Sequence, residues 1–271
     1  MIIQKEGVIL YKDRMNKIYE ASISSFSEQI ENELVKYELK KLTVDSTDCV
    51  NDFSFITKFD KLTELEIRLD YKKKIDISFV NQLNKLKVLG CPKFNGNLKN
   101  TRLVDLAYKW SDKSNISECH NLENIRVDNC SDLNELLKQI DNLSKVKQLE
   151  LWRLSEKVFN FIETNNNIES VKFAYCFKIE DLLNIDICFP NVTKVSFDHC
   201  KNIRNYAPLK NLKNLQELVI LESAPIADLF FLTEMKKLSL LKIGKTKITA
   251  KNVEVLDEIP AKTDLLFTGI K

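Results

Sequence analysis

Three apolar residues recur along this chain in a fixed pattern, and that pattern limits what the chain can fold into. In the C-terminal part it reads Leu215-x-x-Leu218-x-Ile220 and then, 23 residues on, Leu238-x-x-Leu241-x-Ile243. Toward the N-terminus the same triplet stands at Val192/Val195/Phe197, Ile168/Val171/Phe173, Val146/Leu149/Leu151, Leu122/Ile125/Val127 and Leu103/Leu106/Tyr108. It continues at Leu83/Leu86/Val88, Leu62/Leu65/Ile67 and Leu39/Leu42/Val44. The ten copies are 19 to 24 residues apart, and every first and fourth position is aliphatic. Each unit is too short to bury its own apolar face, so such a chain gains a core only by stacking one unit on the next.

A second register runs alongside the first. Eight residues after each start stand Thr47, Asp70, Cys91, Ser111, Cys130, Leu154, Cys176, Cys200, Ser223 and Thr246; nine of the ten are small polar residues or cysteine. On these triplets and this column the chain resembles the leucine-rich-repeat family, whose consensus is L-x-x-L-x-L-x-x-N/C-x-L. The resemblance covers about residues 37–267. In spacing it is closest to the bacterial, internalin-like type of about 22 to 23 residues per repeat. The resemblance implies an α/β fold: a curved leucine-rich-repeat solenoid (horseshoe) with a parallel concave sheet of about 10–11 short strands and a mixed helix and loop convex side. It also implies that the ladder side chain lies inside the turn after the strand and hydrogen-bonds backbone groups there. Leu154 cannot do so, which predicts a distorted sixth repeat.

Three parts are expected: an N-terminal cap over residues 1–36, about ten repeats over 37–260, and a C-terminal cap over 261–271. The stretch 25–35 reads as a helix with a Ser N-cap and an acidic first turn. Ile18-x-x-Ala21-x-Ile23 is a degenerate zeroth repeat, and Asp264-Leu-Leu-Phe267 supplies a last strand. Apolar periodicity predicts helical return segments over 132–143, 156–164, 226–234 and 250–259. The stretch 90–101 carries Pro92 and Gly96 and is expected to be irregular.

Little in the sequence points to chemistry. Forty-one Lys and Arg against 39 Asp and Glu exclude a strongly basic nucleic-acid footprint. No stretch approaches a membrane span and the N-terminus has no signal-peptide core, so no membrane partner is expected. Seven cysteines, an odd number, fit a reducing cytoplasm better than a disulfide framework, with delivery into another cell left open. No C-x-x-C pair occurs, and Cys119-His120 and His199-Cys200 are the only Cys/His neighbours; no metal, no cofactor and no catalytic residues are expected. Gly244-Lys245-Thr246 is the end of a repeat strand and its turn, because the glycine a phosphate-binding loop needs upstream is Ser239. Lys72-Lys73-Lys74 is a solvated charge run.

What remains is the outer face of the sheet. Alternation along the strands sends the third, fifth and seventh positions to the concave side, and the eighth lies beside them. There the chain gathers Lys109, Trp110, Arg126, Asp128, Glu150, Trp152, Arg153, Tyr175 and Asp198. Trp, Tyr and Arg dominate interface hot spots, so these residues are the expected partner-binding set. The alternative is that the tryptophans fold over the rim and pack locally. The expected function is that of a non-enzymatic module, a monomer, binding a protein partner of unknown identity. Its role is that of an intracellular inhibitor or immunity-type protein, or alternatively of a secreted or injected effector. Enzyme and nucleic-acid readings are the remote alternatives.

Overall fold

The computed structural model describes residues 2–5, 7–15, 17–25, 27–45, 52–69, 73–159, 164–259 and 261–266. They fall into two compact units, Met1–Glu123 and Asn124–Lys271.

The first unit opens with an antiparallel sheet of β1 (Ile2–Lys5), β2 (Val8–Lys12) and β3 (Ile18–Ile23). Helix α1 (Glu28–Leu34) follows, its N-cap Ser27 accepting from the Ile30 N–H at 3.2 Å. The parallel ladder then runs through β4 (Lys41–Asp45), β5 (Glu64–Arg68), β7 (Val88–Cys91) and β9 (Asp105–Lys109), beginning on β3. Ala21 pairs with Leu42 and Ile23 with Val44, so the degenerate zeroth repeat takes its place in register. Three strands between these, β6 (Lys74–Asp76), β8 (Lys93–Asn97) and β10 (Ser114–Asn115), form a separate small parallel sheet. The stretch expected to be irregular after Gly90 thus contains a strand, with Gly96 at φ +94 inside it.

One frame differs from expectation. Leu89, rather than Leu86, pairs with Leu65 and with Leu106. The third triplet is therefore Leu86/Leu89/Cys91. The sequence misleads because the residue three before several of the true starts is also buried and accepts the start residue's N–H. Phe59, Leu83, Leu212 and Met235 all do this. Leu83-x-x-Leu86 imitates a strand start for that reason. Cys91 consequently sits in the strand, facing the core, and not in the turn. Thr47, Asp70, Cys49 and Lys72 lie outside the described residues.

The second unit is a run of parallel strands, each paired to the next: β11 (Asn124–Asp128), β12 (Gln148–Trp152), β13 (Ser170–Ala174), β14 (Lys194–Asp198), β15 (Glu217–Leu221), β16 (Leu240–Gly244) and β17 (Lys262–Leu266). The register aligns the triplets, for example Leu151, Phe173, Phe197, Ile220 and Ile243. These side chains are at most 1% exposed, and Phe173 stacks on Phe197 at 5.3 Å. At about 1.5–3 kcal/mol for each fully buried side chain, this column and the equally buried first and fourth positions hold the coils together. The strand of the sixth repeat pairs on both sides over all five residues, so Leu154 does not distort it. Phe267, expected in the last strand, lies outside the described residues.

The return segments are shorter than expected. Helix α2 (Leu133–Asp141) forms as the periodicity predicts, capped by Asp132 and burying Leu133, Leu136, Leu137 and Ile140. Only α3 (Ile185–Cys188), α4 (Val255–Glu258) and the 3-10 turns Ala207–Asn211 and Phe230–Glu234 join it here. Ile226 is held extended by a bridge to Ile248, and Asp228 accepts from the Phe230 N–H at 3.0 Å, which starts the turn late. Residues 156–159 are not helical, and 160–163 lie outside the described residues. No helix of the described residues is long and apolar enough to cross a membrane.

Candidate partner-binding face

Six strands of the second unit end in the same way. The residue after each of β11 to β16 has a left-handed backbone, with φ between 47° and 56°: Asn129, Arg153, Tyr175, His199, Glu222 and Lys245. Of these, Asn and, less strongly, His are the types enriched in that region. Each N–H donates to the last carbonyl of the next strand, from Asn129 to Trp152 at 2.8 Å through Lys245 to Leu266 at 2.7 Å. The sharp turn sends the following residue inward, where it satisfies the bend. The Thr246 hydroxyl accepts from the Ser223 N–H at 3.0 Å and donates to the Gly244 carbonyl at 3.2 Å. The Ser223 hydroxyl repeats this with the Cys200 N–H at 3.1 Å and the Leu221 carbonyl at 2.8 Å. The Cys200 and Cys176 thiols donate to carbonyls in the same places. The ladder column therefore does the work the consensus implies, with thiols and hydroxyls in place of Asn.

The turn also pushes its own side chain onto the rim. There the side chains make a continuous row. Arg153 holds Asp128 through two guanidinium nitrogens, the Nε contact at 2.8 Å. Tyr175 stacks on His199 at 4.5 Å and lies 5.7 Å from Trp152. His199 sits between Asp198, 2.7 Å from Nδ1, and Glu222, 3.0 Å from Nε2, and Glu222 pairs with Lys245 at 3.0 Å. Beside the row, Arg126 lies 5.2 Å and Lys172 5.8 Å from the centre of the Trp152 ring. Glu150 accepts from Arg126 Nε at 2.6 Å and from Trp152 Nε1 at 3.2 Å. Partial burial alone would raise the Glu150 pKa, but the Arg126 hydrogen bond and charge, the Trp152 N–H and Lys172 hold it below the usual carboxylate value. The Lys245 hydrogen bond does the same for Glu222.

Neither family models nor curated proteins match the chain. Solved structures do. In the structure of the Toll–Spätzle complex from Drosophila the match has a TM-score of 0.51 at 10% identity, covering 83% of this chain and 35% of that one. An internalin from Listeria monocytogenes matches with a TM-score of 0.47 at 17% identity, over 94% of this chain and 71% of that one. The functional domain of InlJ from the same organism, described as including a cysteine ladder, matches at 0.44 and 15%, over 78% of this chain and 45% of that one. The recurring triplets, their parallel register and the inward turn ladder identify the architecture. The protein is a leucine-rich-repeat solenoid.

The repeats bring together Arg126, Asp128, Glu150, Trp152, Arg153, Tyr175 and Asp198 on one face of the second unit. Lys109 ends β9 in the first unit, half-buried. Trp110 corrects the expectation, because its ring is only 4% exposed. It lacks the left-handed turn of its counterparts in the second unit, and its side chain packs locally instead of joining a rim. Sequence reasoning missed Lys172, Phe177, Glu222 and Lys245. Glu222 and Lys245 occupy the column that yielded Arg153 and Tyr175, and following that column through the last repeats finds them. Phe177, 47% exposed and edge-on to Tyr175 at 6.2 Å, stands outside every column.

The described cysteines of this leucine-rich-repeat protein are free and buried. Cys119 donates to the Leu98 carbonyl at 3.2 Å. Burial pushes the thiols of Cys119, Cys130 and Cys188 up to about 12. The hydrogen bond with Cys200, with burial, pushes Cys176 up further. Thiols raised this far are poor nucleophiles. Among the described residues no group of three or more His, Cys, Asp or Glu is placed to hold a metal ion.

Proposed function

We propose that the protein is an interaction module that binds a protein partner through the strand face and rim of its second unit, centred on Trp152 and Tyr175. One observation carries this reading: two large aromatics stay partly exposed there, fixed by Arg126, Lys172, Glu150 and His199. Side chains already held in place lose little freedom on binding, which leaves more of their contact energy for affinity. The surrounding charges of both signs suit orientation and choice of partner more than raw affinity. The fold lends support of a general kind, since Toll has been solved in complex with Spätzle. Within this reading the protein acts as an inhibitor of the immunity type, masking the partner's active surface. The second role, an effector delivered to another cell, uses the same face.

The test compares wild type with Trp152→Ala/Arg153→Glu in a pull-down from the producing organism, followed by reconstitution with the protein recovered. Circular-dichroism melts check that the variant folds. A partner retained by wild type and lost by the variant supports the face; a partner retained by both overturns it. Full activity of the partner in the reconstituted complex overturns the inhibitor role and leaves the effector role, which is checked by detecting the chain outside the producing cell.

A further inference from the structure

The first unit holds a depression that the partner-binding reading does not use. It is open, with a volume of about 540 Å³, and its lining includes Thr63, Asn84, Lys85, Lys87, Arg102 and Glu123. Four successive coils build it, joined by three hydrogen bonds: the Lys87 N–H donates to the Thr63 carbonyl, Val104 to Lys87 and Glu123 to Val104, each at 2.8 Å. Its cations are aimed outward by the core. Lys85 and Lys87 flank Leu86, and Arg102 precedes Leu103; both leucines are fully buried, so their neighbours are turned to solvent.

These cations are neutralised differently from those around them. In the same unit Lys41 pairs with Glu20 at 3.4 Å, Lys61 with Asp60 at 3.2 Å, Arg68 with Glu66 at 2.8 Å and Lys99 with Glu118 at 3.0 Å. Lys58 pairs with Glu31. Among the described residues no carboxylate lies within ion-pair distance of Lys85, Lys87 or Arg102. Three cations against the single carboxylate of Glu123 leave the depression with a surplus of two positive charges. Asn84 adds an uncharged hydrogen-bonding amide at the edge, and Val104 an apolar patch of lining.

We infer that this depression is a second recognition site, for an acidic segment of a protein. A guanidinium and two ammonium groups on neighbouring coils match carboxylates on one short peptide. Glu123 in the lining, and a chain charge of only +2, disfavour a continuous phosphate backbone. The site stands whether or not the second unit's face binds a partner, because it uses none of the same residues.

The experiment is fluorescence anisotropy with fluorescein-labelled hexaglutamate and the full chain, at low salt so that screening is weak. Hexaglutamine is the uncharged reference. Lys85→Glu/Lys87→Glu/Arg102→Glu is compared with Lys213→Glu/Lys236→Glu/Lys251→Glu, which changes net charge equally in the second unit. The expected result is binding of hexaglutamate alone, weakened about tenfold or more by the first triple variant and within about twofold of wild type in the second. A triple Gln variant at the same three positions reproduces the loss without added repulsion, should the Glu variant fold poorly. Equal weakening by both Glu variants shows a net-charge effect and overturns the site, as does absence of binding by wild type. Displacement of the peptide by inorganic phosphate or by a single-stranded oligonucleotide at lower concentration than by unlabelled hexaglutamate overturns the acidic-peptide assignment.

Discussion

Tyr175 tests whether the left-handed rim is a real cost that the fold carries. Its φ is 54°, a region where a Cβ meets the following carbonyl, and its ring contacts His199 at 4.5 Å and Trp152 at 5.7 Å. Tyr175→Ala removes these two contacts, each worth about 0.5–1.5 kcal/mol, together with the longer edge-on contact with the exposed Phe177 at 6.2 Å, and keeps the strained Cβ. A loss of about 1–3 kcal/mol is expected for that variant. Tyr175→Gly removes the same contacts and also the strain of about 1–2 kcal/mol. Glycine then gives back about 0.4–1 kcal/mol through its freer unfolded chain. The Gly variant should therefore be more stable than the Ala variant by up to about 1.6 kcal/mol, the reverse of the order expected in regular helix or strand. In thermal melts that difference is a few degrees at most, since about 1 kcal/mol moves a chain of this size by roughly 2–4 °C. Urea titrations of both variants give the comparison directly. If the Ala variant is as stable as the Gly variant or more so, the claim of stored backbone strain fails.

Three further outcomes follow from the geometry. Thr246→Val should cost about 1–3 kcal/mol in urea titration, because the Ser223 N–H loses its partner while the Gly244 carbonyl keeps the Glu222 N–H; a near-neutral result would remove the turn ladder from the account of stability. Trp110→Ala should destabilise the fold by about 3–5 kcal/mol, as loss of a buried ring does, without weakening capture of a partner by the second unit. Glu150 has a lowered pKa in the folded chain, so its contribution to stability is complete above the ordinary carboxylate range and is lost as pH falls through the lowered value. Glu150→Gln should flatten the pH dependence of stability on the acid side of about pH 5, and a profile parallel to wild type would refute the Arg126–Glu150–Trp152 arrangement.

The inward half of each repeat was legible because burial permits few residue types there. Leu149, Val171, Val195, Leu218 and Leu241 meet in register because each must face the same dry interior. The frame error at Leu83 has the same root: a residue buried for a different reason, in the turn before the strand, looks identical by composition. Return segments were less legible, since an apolar period is also satisfied by short turns pinned by a neighbouring coil, as at Ile226 and Ile248. Trp110 and Trp152 separate the two cases most clearly. Trp152 is the last residue of its strand and faces outward by alternation, whereas Trp110 follows its strand, in the place where a left-handed backbone turns Arg153 out, and without that turn its side chain is buried.

That turn links the fold to the proposed function. A glycine or asparagine after each strand would make the bend at least cost, and the second unit uses asparagine once, at Asn129. The five repeats that follow place Arg, Tyr, His, Glu and Lys there instead, at about 1–2 kcal/mol each by backbone sterics. Where the side chain makes only an exposed ion pair, as at Glu222–Lys245, the part of that cost returned within the fold is about 0–1 kcal/mol. Tyr175 is the exception in the row, since its ring contacts return about as much as its backbone costs, and the uncompensated remainder falls on the residues held by ion pairs alone.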